Sequence, residues 1–291
     1  MILSRKLIPY LLLAPTFLII SIFIYYPAYQ SFFMSLYKVS PFGTSSRFVG
    51  LENFLQLFQS GRFIQSVYTT LIFVVVTVVV GLVISLLLAI LLNDKIPGIG
   101  IFRTLLFSPY AVSPAVAGVL WAFLLSPVSG YVSYLFLIIF KIQPQWLTTY
   151  PLALIAVMIA TVWQNIGFNV IFFLAGLQSI PQSYYEAATI DGANSVNKFF
   201  KITIPLLSPI TFFLIIMNIS SSVFYSFAAI DVMTEGGPSN TTTTMMYEVY
   251  REGFFYFNNG AASSESVILI LIMAFFTYLY FKFGQKAVHY Q

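Results

Sequence analysis

The chain has no cysteine, one histidine, and only 13 Lys and Arg and 9 Asp and Glu in 291 residues. Without cysteine there is no disulfide framework, no thiolate metal ligand and no cysteine nucleophile. The lone histidine, His289, sits in the tail and leaves no His/Asp pair for acid–base catalysis. Charged residues amount to 8%, whereas soluble domains carry about 25%. So few charges cannot cover the surface of a soluble globule of this length. What is present instead is apolar: 59% of the residues, with 31 Phe and 19 Tyr. The composition is that of an integral membrane protein.

Six apolar runs, at 7–29, 67–92, 104–125, 152–178, 206–230 and 266–284, approach or exceed the roughly 20 residues that a spanning helix needs. They lack strict alternation, which disfavours a β-barrel. The expectation is an all-α polytopic membrane protein, one transmembrane domain over 1–291. A seventh stretch, Tyr131–Phe140, is too short to span and reads as an interfacial or re-entrant helix. The first run follows Arg5 and Lys6, as a signal peptide would. It is longer than the usual signal core, however, and no small-x-small site follows Pro27, so it reads as an uncleaved span.

With the N-terminus inside, Arg5, Lys6, Lys95, Arg103, Lys198, Lys201, Lys282 and Lys286 fall on the cytoplasmic side, together with Asp94, Glu186 and Asp191. Lys38, Arg47, Arg62, Lys141 and Arg251 fall outside, with Glu52, Asp231, Glu235, Glu248, Glu252 and Glu265. Cytoplasmic segments collect Lys and Arg, so both termini are expected in the cytoplasm. The net charge of +4 then records orientation rather than an anionic ligand. Long outer loops fall near 30–66, 126–151 and 231–265, and the one long inner loop at 179–205.

In that inner loop Pro181 suits the first position of a short helix running to Ile190. Asp191-Gly192 makes a turn, and Asn194 or Ser195 can cap a second helix to about Thr203. Val196, Phe199, Phe200 and Thr203 would share one face of it, away from Lys198 and Lys201. By pattern alone this is an amphipathic hairpin on the inner leaflet, lysines at the headgroups.

The residues also carry a specific resemblance. Glu186-Ala187-Ala188, three residues, Gly192, nine residues and Ile202-x-Ile204-Pro205 resemble the EAA loop of binding-protein-dependent ABC importer permeases, with Ile204 where the family has leucine. Tyr26–Leu36, Phe48–Phe54 and Gly236-Gly237-Pro238 followed by Thr241–Thr244 look like outer loops of the carbohydrate-uptake class. Ser108–Trp121, Tyr250–Phe254 and the tail His289-Tyr290-Gln291 are similar to the glycerol-3-phosphate importers within it. The resemblance implies the type I importer permease fold in a bacterial cytoplasmic (inner) membrane. It also implies a second homologous permease, two copies of an ATP-binding subunit, and a periplasmic or lipoprotein substrate-binding protein. Glu186, Ala187, Ala188, Asp191, Gly192, Ile202 and Pro205 would form the contact with the ATPase, which would hold the ATP and Mg²⁺. No cofactor or metal is expected in this chain, and no nucleic acid.

A polar cargo needs polar groups inside the spans. Trp163, Gln164, Asn165 and Asn169 in the fourth span, and Asn218, Ser220, Ser221, Ser222 and Tyr225 in the fifth, are the candidates. Asn165 and Asn169 are i, i+4 and share a face. The competing reading for each is helix-to-helix hydrogen bonding. No Lys or Arg lies deep in a span, so the charge of a phosphate ester would meet neutral donors, helix-end N–H groups or another subunit. Pro109 and Pro114 interrupt the third span or merely kink it. Asp231 either gates the outer mouth or is solvated. Glu235, Gly236, Gly237, Pro238, Arg251, Glu248 and Glu252 are candidates for docking the external binding protein, or a solvated face.

Two other classes compete. An ion-coupled secondary transporter would want a deep intramembrane acid or histidine, which the proposed spans lack. A membrane acyl- or phosphotransferase would want a His/Asp pair or metal cluster. A Gly-x4-Gly-Lys-Ser/Thr loop is also absent, so this chain is expected to be no enzyme and to take its energy from a separate ATPase.

Overall fold

The computed structural model describes residues 8–40, 45–93 and 98–284. Arg5, Lys6, Asp94, Lys95, Lys286 and His289, used above for orientation or as the sole histidine, lie outside the described residues. Among those described, five helices are long and apolar enough to cross a membrane: Pro9–Met34, Gly61–Leu91, Leu152–Ser179, Ser208–Met233 and Asn259–Lys282. A bent pair of apolar helices, Ile99–Ala111 and Pro114–Leu124 at 103° to each other, makes a sixth when the two pieces are taken as one broken span.

The chain divides into two compact units. One comprises Met1–Phe63 and Glu248–Ile272, the other Ile64–Tyr247 and Met273–Gln291.

In the first unit, the opening helix runs on to Met34, five residues past the expected end at 29. Pro27 does not stop it. Ahead of the proline the helix widens into a π turn over Ser21–Tyr25, where the Tyr26 N–H reaches the Ser21 carbonyl. Such a turn accommodates the missing proline donor without breaking the rod. The loop expected at 30–66 is structured: strands Tyr37–Val39 and Ser46–Phe48 pair antiparallel, and Glu52–Gln59 is a helix. Asn53 ties these pieces together by donating to the Ser35 and Tyr37 carbonyls at 2.8 and 3.0 Å.

The last helix starts at Asn259, seven residues before the expected 266. Ser263, Ser264 and Glu265 are buried in it, and Ser264 donates to the Gly260 and Ser35 carbonyls. A hydropathy window rejects this polar stretch. The chain's own carbonyls receive its hydroxyls, so it remains helical without needing to face lipid.

Glu248 and Glu252, expected on the outer side as a docking surface or a solvated face, are buried instead. Arg62 bonds Glu252 at 3.0 Å and lies 3.8 Å from Glu248, and Arg251 lies 3.8 Å from Glu248. Both guanidinium groups sit over the Tyr256 ring. Burial holds the Glu248 carboxyl above the usual carboxylate range; Arg251 and Arg62 oppose that rise without cancelling it, and Glu252 adds to it.

In the second unit the Leu152–Ser179 helix is the axis of the core. Val170, Phe173, Leu174 and Leu177 pack with Val78, Leu82 and Ala89 of the Gly61–Leu91 helix and with Leu207 and Leu214. The core needs one close approach. A Cβ at Gly167 would lie 2.3 Å from the Leu106 carbonyl oxygen and 2.6 Å from the Phe107 Cα. Only glycine lets the axis helix lie against the backbone of the broken span. Tyr131–Phe140 is a separate helix with mostly exposed apolar residues.

Candidate functional site

The break in the third crossing is produced by its prolines. Ser108–Ala111 is a 3-10 turn with Pro109 in its first turn, and Pro114 opens the next helix with Ser113 capping it. Val112, between them, is extended, so its carbonyl has no helical partner. Gln164 supplies one: its side-chain amide donates to the Val112 oxygen at 2.8 Å. The prolines therefore break the span rather than only kink it, and an amide from the axis helix satisfies the freed backbone.

A cavity of about 490 Å³ opens beside this break. Its lining includes Tyr110, Val112 and Pro114 from the break, Gln164 and Asn165 from the axis helix, and Asn218, Ser220, Ser221 and Tyr225 from the fifth crossing. Within it Ser221 donates to Asn165 Oδ1 at 3.3 Å, and Asn165 donates to the Thr161 carbonyl at 2.9 Å. Among the described residues, no charged side chain lines it.

The structure sorts the sequence candidates. Gln164, Asn165, Asn218, Ser220, Ser221 and Tyr225 meet at the cavity. Trp163, Asn169 and Ser222 do not line it. Trp163 stacks edge-on against Trp121, and Ser222 shares a 2.8 Å hydrogen bond with Thr77. Asn169 is fully buried and makes a reciprocal amide pair with Asn218: Asn218 donates at 2.7 Å and Asn169 returns a bond at 3.0 Å. Asn165 and Asn169 thus share a helix face but not an environment. Sequence reasoning missed Tyr110, Val112, Thr161 and Ser226 in the lining. Only the 103° bend brings Tyr110 and Val112 to the axis helix, and the one available signal was the proline pair.

The Asn169–Asn218 pair has a measurable consequence. The penalties of Asn169→Leu and Asn218→Leu are expected to sum to about 1 kcal/mol more than that of the double substitution. Thermal unfolding of the assembled complex in detergent reads this coupling. Strictly additive penalties would show that the pair contributes nothing.

The loop 179–205 is built as two short helices. Gln182–Ile190 is preceded by Pro181 as its N-cap, one position earlier than expected. It ends in a Schellman turn: the Ala193 N–H bonds the Ala188 carbonyl at 2.8 Å and Gly192 the Thr189 carbonyl at 3.0 Å. Gly192 sits at φ +77 with nothing within 4 Å of a would-be Cβ, so backbone conformation alone calls for glycine. Asn194, not Ser195, caps the second helix, accepting from the Asn197 N–H at 2.8 Å. That helix becomes a π turn over Phe199–Thr203. The widened turn separates the expected common face: Thr203 is buried, whereas Val196 and Phe200 are more than 60% exposed. Tyr185 and Thr203 share a 3.0 Å hydrogen bond, and Lys198 donates to Thr189, which fixes the two helices to each other. Glu186, Ala187, Asp191 and Gly192 face outward, and Ala188, Ile202 and Pro205 are half-buried.

Of the docking candidates, Glu235 is exposed, Gly237 and Pro238 are half-buried, and Gly236 is buried with its carbonyl accepting from Thr243. Arg251 is held by Glu248 and donates to the Tyr256 hydroxyl. Asp231 lies in the helix Ser226–Met233 and accepts from the Tyr247 hydroxyl at 3.3 Å.

Comparison with known proteins gives these features a context. Residues 58–289 match the sequence model of the family described as "Binding-protein-dependent transport system inner membrane component". A Yersinia pestis bv. Antiqua protein named sn-glycerol-3-phosphate transport system permease protein UgpA is 43% identical over 237 residues, 81% of this chain and 79% of that protein. Its Escherichia coli O157:H7 counterpart is 42% identical over 231 residues, 79% and 78% of the two chains. Among solved structures, a chain of a bacterial ABC transporter that imports the acidic polysaccharide alginate superposes with a TM-score of 0.85 at 23% identity, covering 97% of this chain and 96% of that one. A second structure of an alginate transporter, with a pentasaccharide-bound periplasmic protein, gives 0.80, covering 94% and 93%. The chain belongs to the binding-protein-dependent transport system inner membrane components, the multi-pass membrane permeases of ABC importers.

Proposed function

We propose that this permease forms, with a second homologous permease, the translocation path for sn-glycerol-3-phosphate or a related glycerophosphodiester. The observation that carries the cargo is the 43% identity, over most of both chains, to relatives named for that substrate. The cavity is compatible with it. Gln164, Asn165, Ser220 and Ser221 offer amide and hydroxyl groups to a polyol, and Tyr110 and Tyr225 offer aromatic faces. Pro114 lines the cavity at the N-terminus of the helix Pro114–Leu124, whose positive end favours an anion. Trp163, Asn169 and Ser222 act in this reading as support for the cavity wall.

The full importer would contain two permeases, two copies of an ATP-binding subunit that hold ATP and Mg²⁺, and an external substrate-binding protein. Both termini and the loop 179–205 would lie in the cytoplasm, with Glu186, Ala187, Ala188, Asp191, Gly192, Ile202 and Pro205 at the ATPase contact. Glu235, Gly237 and Pro238 would face the binding protein, and Gly236 and Arg251 would hold that surface in shape. The whole chain would act as one transmembrane domain, rocked as rigid bodies by ATPase closure.

A sugar or oligosaccharide is the second reading, favoured by the absence of charge among the described lining residues. Uptake in the assembled, reconstituted importer separates the two. Labelled sn-glycerol-3-phosphate is expected to enter and maltose not to. A preference for maltose would retire the phosphate-ester assignment and leave the permease assignment standing.

A further inference from the structure

Away from the cavity and the inner loop, the helix Glu52–Gln59 presents three faces. Asn53 and Leu57 are buried, and Asn53 is fastened to the Ser35 and Tyr37 carbonyls. The exposed remainder divides in two. Leu51, at the cap, Leu55 and Phe58 follow i, i+4, i+7 spacing and are exposed by 66, 61 and 58%. Glu52, Gln56 and Gln59 follow the same spacing one residue later, about 100° around the helix, and are also exposed. Gln56 donates to Glu52 at 3.0 Å within that polar stripe. A face turned wholly to water has no reason to hold three large apolar side chains in one stripe, and a buried face has none to hold the glutamines.

Chain connectivity fixes where this helix can be. Only Ser60, in an extended conformation, separates Gln59 from Gly61, where the next membrane-crossing helix begins. The two-sided helix is therefore tethered one residue from the N-terminus of a crossing helix whose apolar run begins at 67.

We propose that Glu52–Gln59 is an interfacial helix that lies in the headgroup layer. Leu51, Leu55 and Phe58 enter the acyl-chain boundary, and Glu52, Gln56 and Gln59 face water. An amphipathic helix of this kind sinks its apolar side about 5–10 Å into the boundary. It sets the depth at which the Gly61–Leu91 helix enters the bilayer. The occupant of the apolar stripe is thus lipid, and the inference is independent of the cargo.

The absence of cysteine makes the test direct, because Leu55→Cys, Phe58→Cys, Gln56→Cys and Gln59→Cys each create a unique labelling site in this chain. Each variant, assembled with cysteine-free partner subunits, is labelled with bimane. It is then reconstituted into phosphatidylethanolamine/phosphatidylglycerol vesicles with and without dibrominated acyl chains. Labels at 55 and 58 are expected to be quenched several-fold more than labels at 56 and 59, with or without the external binding protein. Equal, weak quenching at all four positions would overturn the proposal. Weak quenching at 55 and 58, combined with shielding when the binding protein is added, would overturn it in favour of a protein-docking surface. If Phe58→Cys blocks assembly, Leu51→Cys carries the same expectations.

Discussion

Replacing Glu186 with lysine is expected to abolish substrate uptake while leaving the permease in the membrane. Glu186 is exposed in the middle of the helix Gln182–Ile190 and accounts for none of the core packing, so the folded chain loses nothing by its removal. The helix itself is rigidly held. The Schellman turn at Gly192, the Asn194 cap, the Tyr185–Thr203 bond and the Lys198–Thr189 bond lock it to its neighbour. Tyr185 also packs against the core that contains Leu177 and Leu207. A force applied to this hairpin thus reaches the fourth and fifth crossings directly. If the ATPase grips the hairpin through Glu186, charge reversal removes an attraction and adds a repulsion. A loss of about a hundredfold corresponds to about 2.8 kcal/mol, within what one contact residue supplies. The measurements are uptake in vesicles, substrate-stimulated ATP hydrolysis and membrane abundance. Undiminished uptake at wild-type abundance would show that Glu186 is not at the contact. A loss in proportion to abundance would assign it a folding role instead.

The second large effect is expected at Gly167. Its Cα hydrogen faces the Leu106 oxygen and Phe107 Cα, and a methyl group there would sit 2.3 and 2.6 Å from them. Both obstacles are backbone, so no side chain can rotate away. Gly167→Ala must push the Ile99–Phe107 helix off the axis helix, at about 1–3 kcal/mol for an overpacked site and more if the shift propagates. The shift is expected to propagate, because Gln164, one turn earlier, holds the freed Val112 carbonyl at the break. Both the thermal midpoint of the assembled importer and its uptake rate should fall. Gly81→Ala is the control, since its Cβ would meet only Asn169 Nδ2 at 4.0 Å. Equal tolerance of the two substitutions would mean that the helices are not in close contact at Gly167.

The two sites differ in how far the sequence revealed them. The loop 179–205 is local: its capping residues, glycine and proline punctuation lie within 25 residues, and the first helix and the turn follow from near-neighbour rules. Even so, its second helix widens into a π turn at Phe199–Thr203, which no spacing rule announces. The cavity is not local. Asn165 and Asn169 are equivalent on a helical wheel. One faces open space and the other is sealed against Asn218, and only the position of the fifth crossing decides which. The buried acids show the same limit. Glu248 and Glu252 look like solvated loop charges until Arg62, nearly 190 residues earlier, is seen to reach them.

The solvent in which this protein lives is legible from composition alone. Charge is too scarce for water and the apolar runs have the length of a bilayer, and both facts are properties of composition and of covalent order. The first helix of the loop 179–205 and its glycine turn are legible there as well, since capping and turn chemistry act between residues a few positions apart. The tertiary structure decided which polar side chains are joints and which border open space, because that depends on what a different helix presents at the same height. It also decided that the third crossing is broken rather than kinked. Prolines remove donors in any context, but a break with a free carbonyl persists only where another helix, here through Gln164, satisfies that carbonyl.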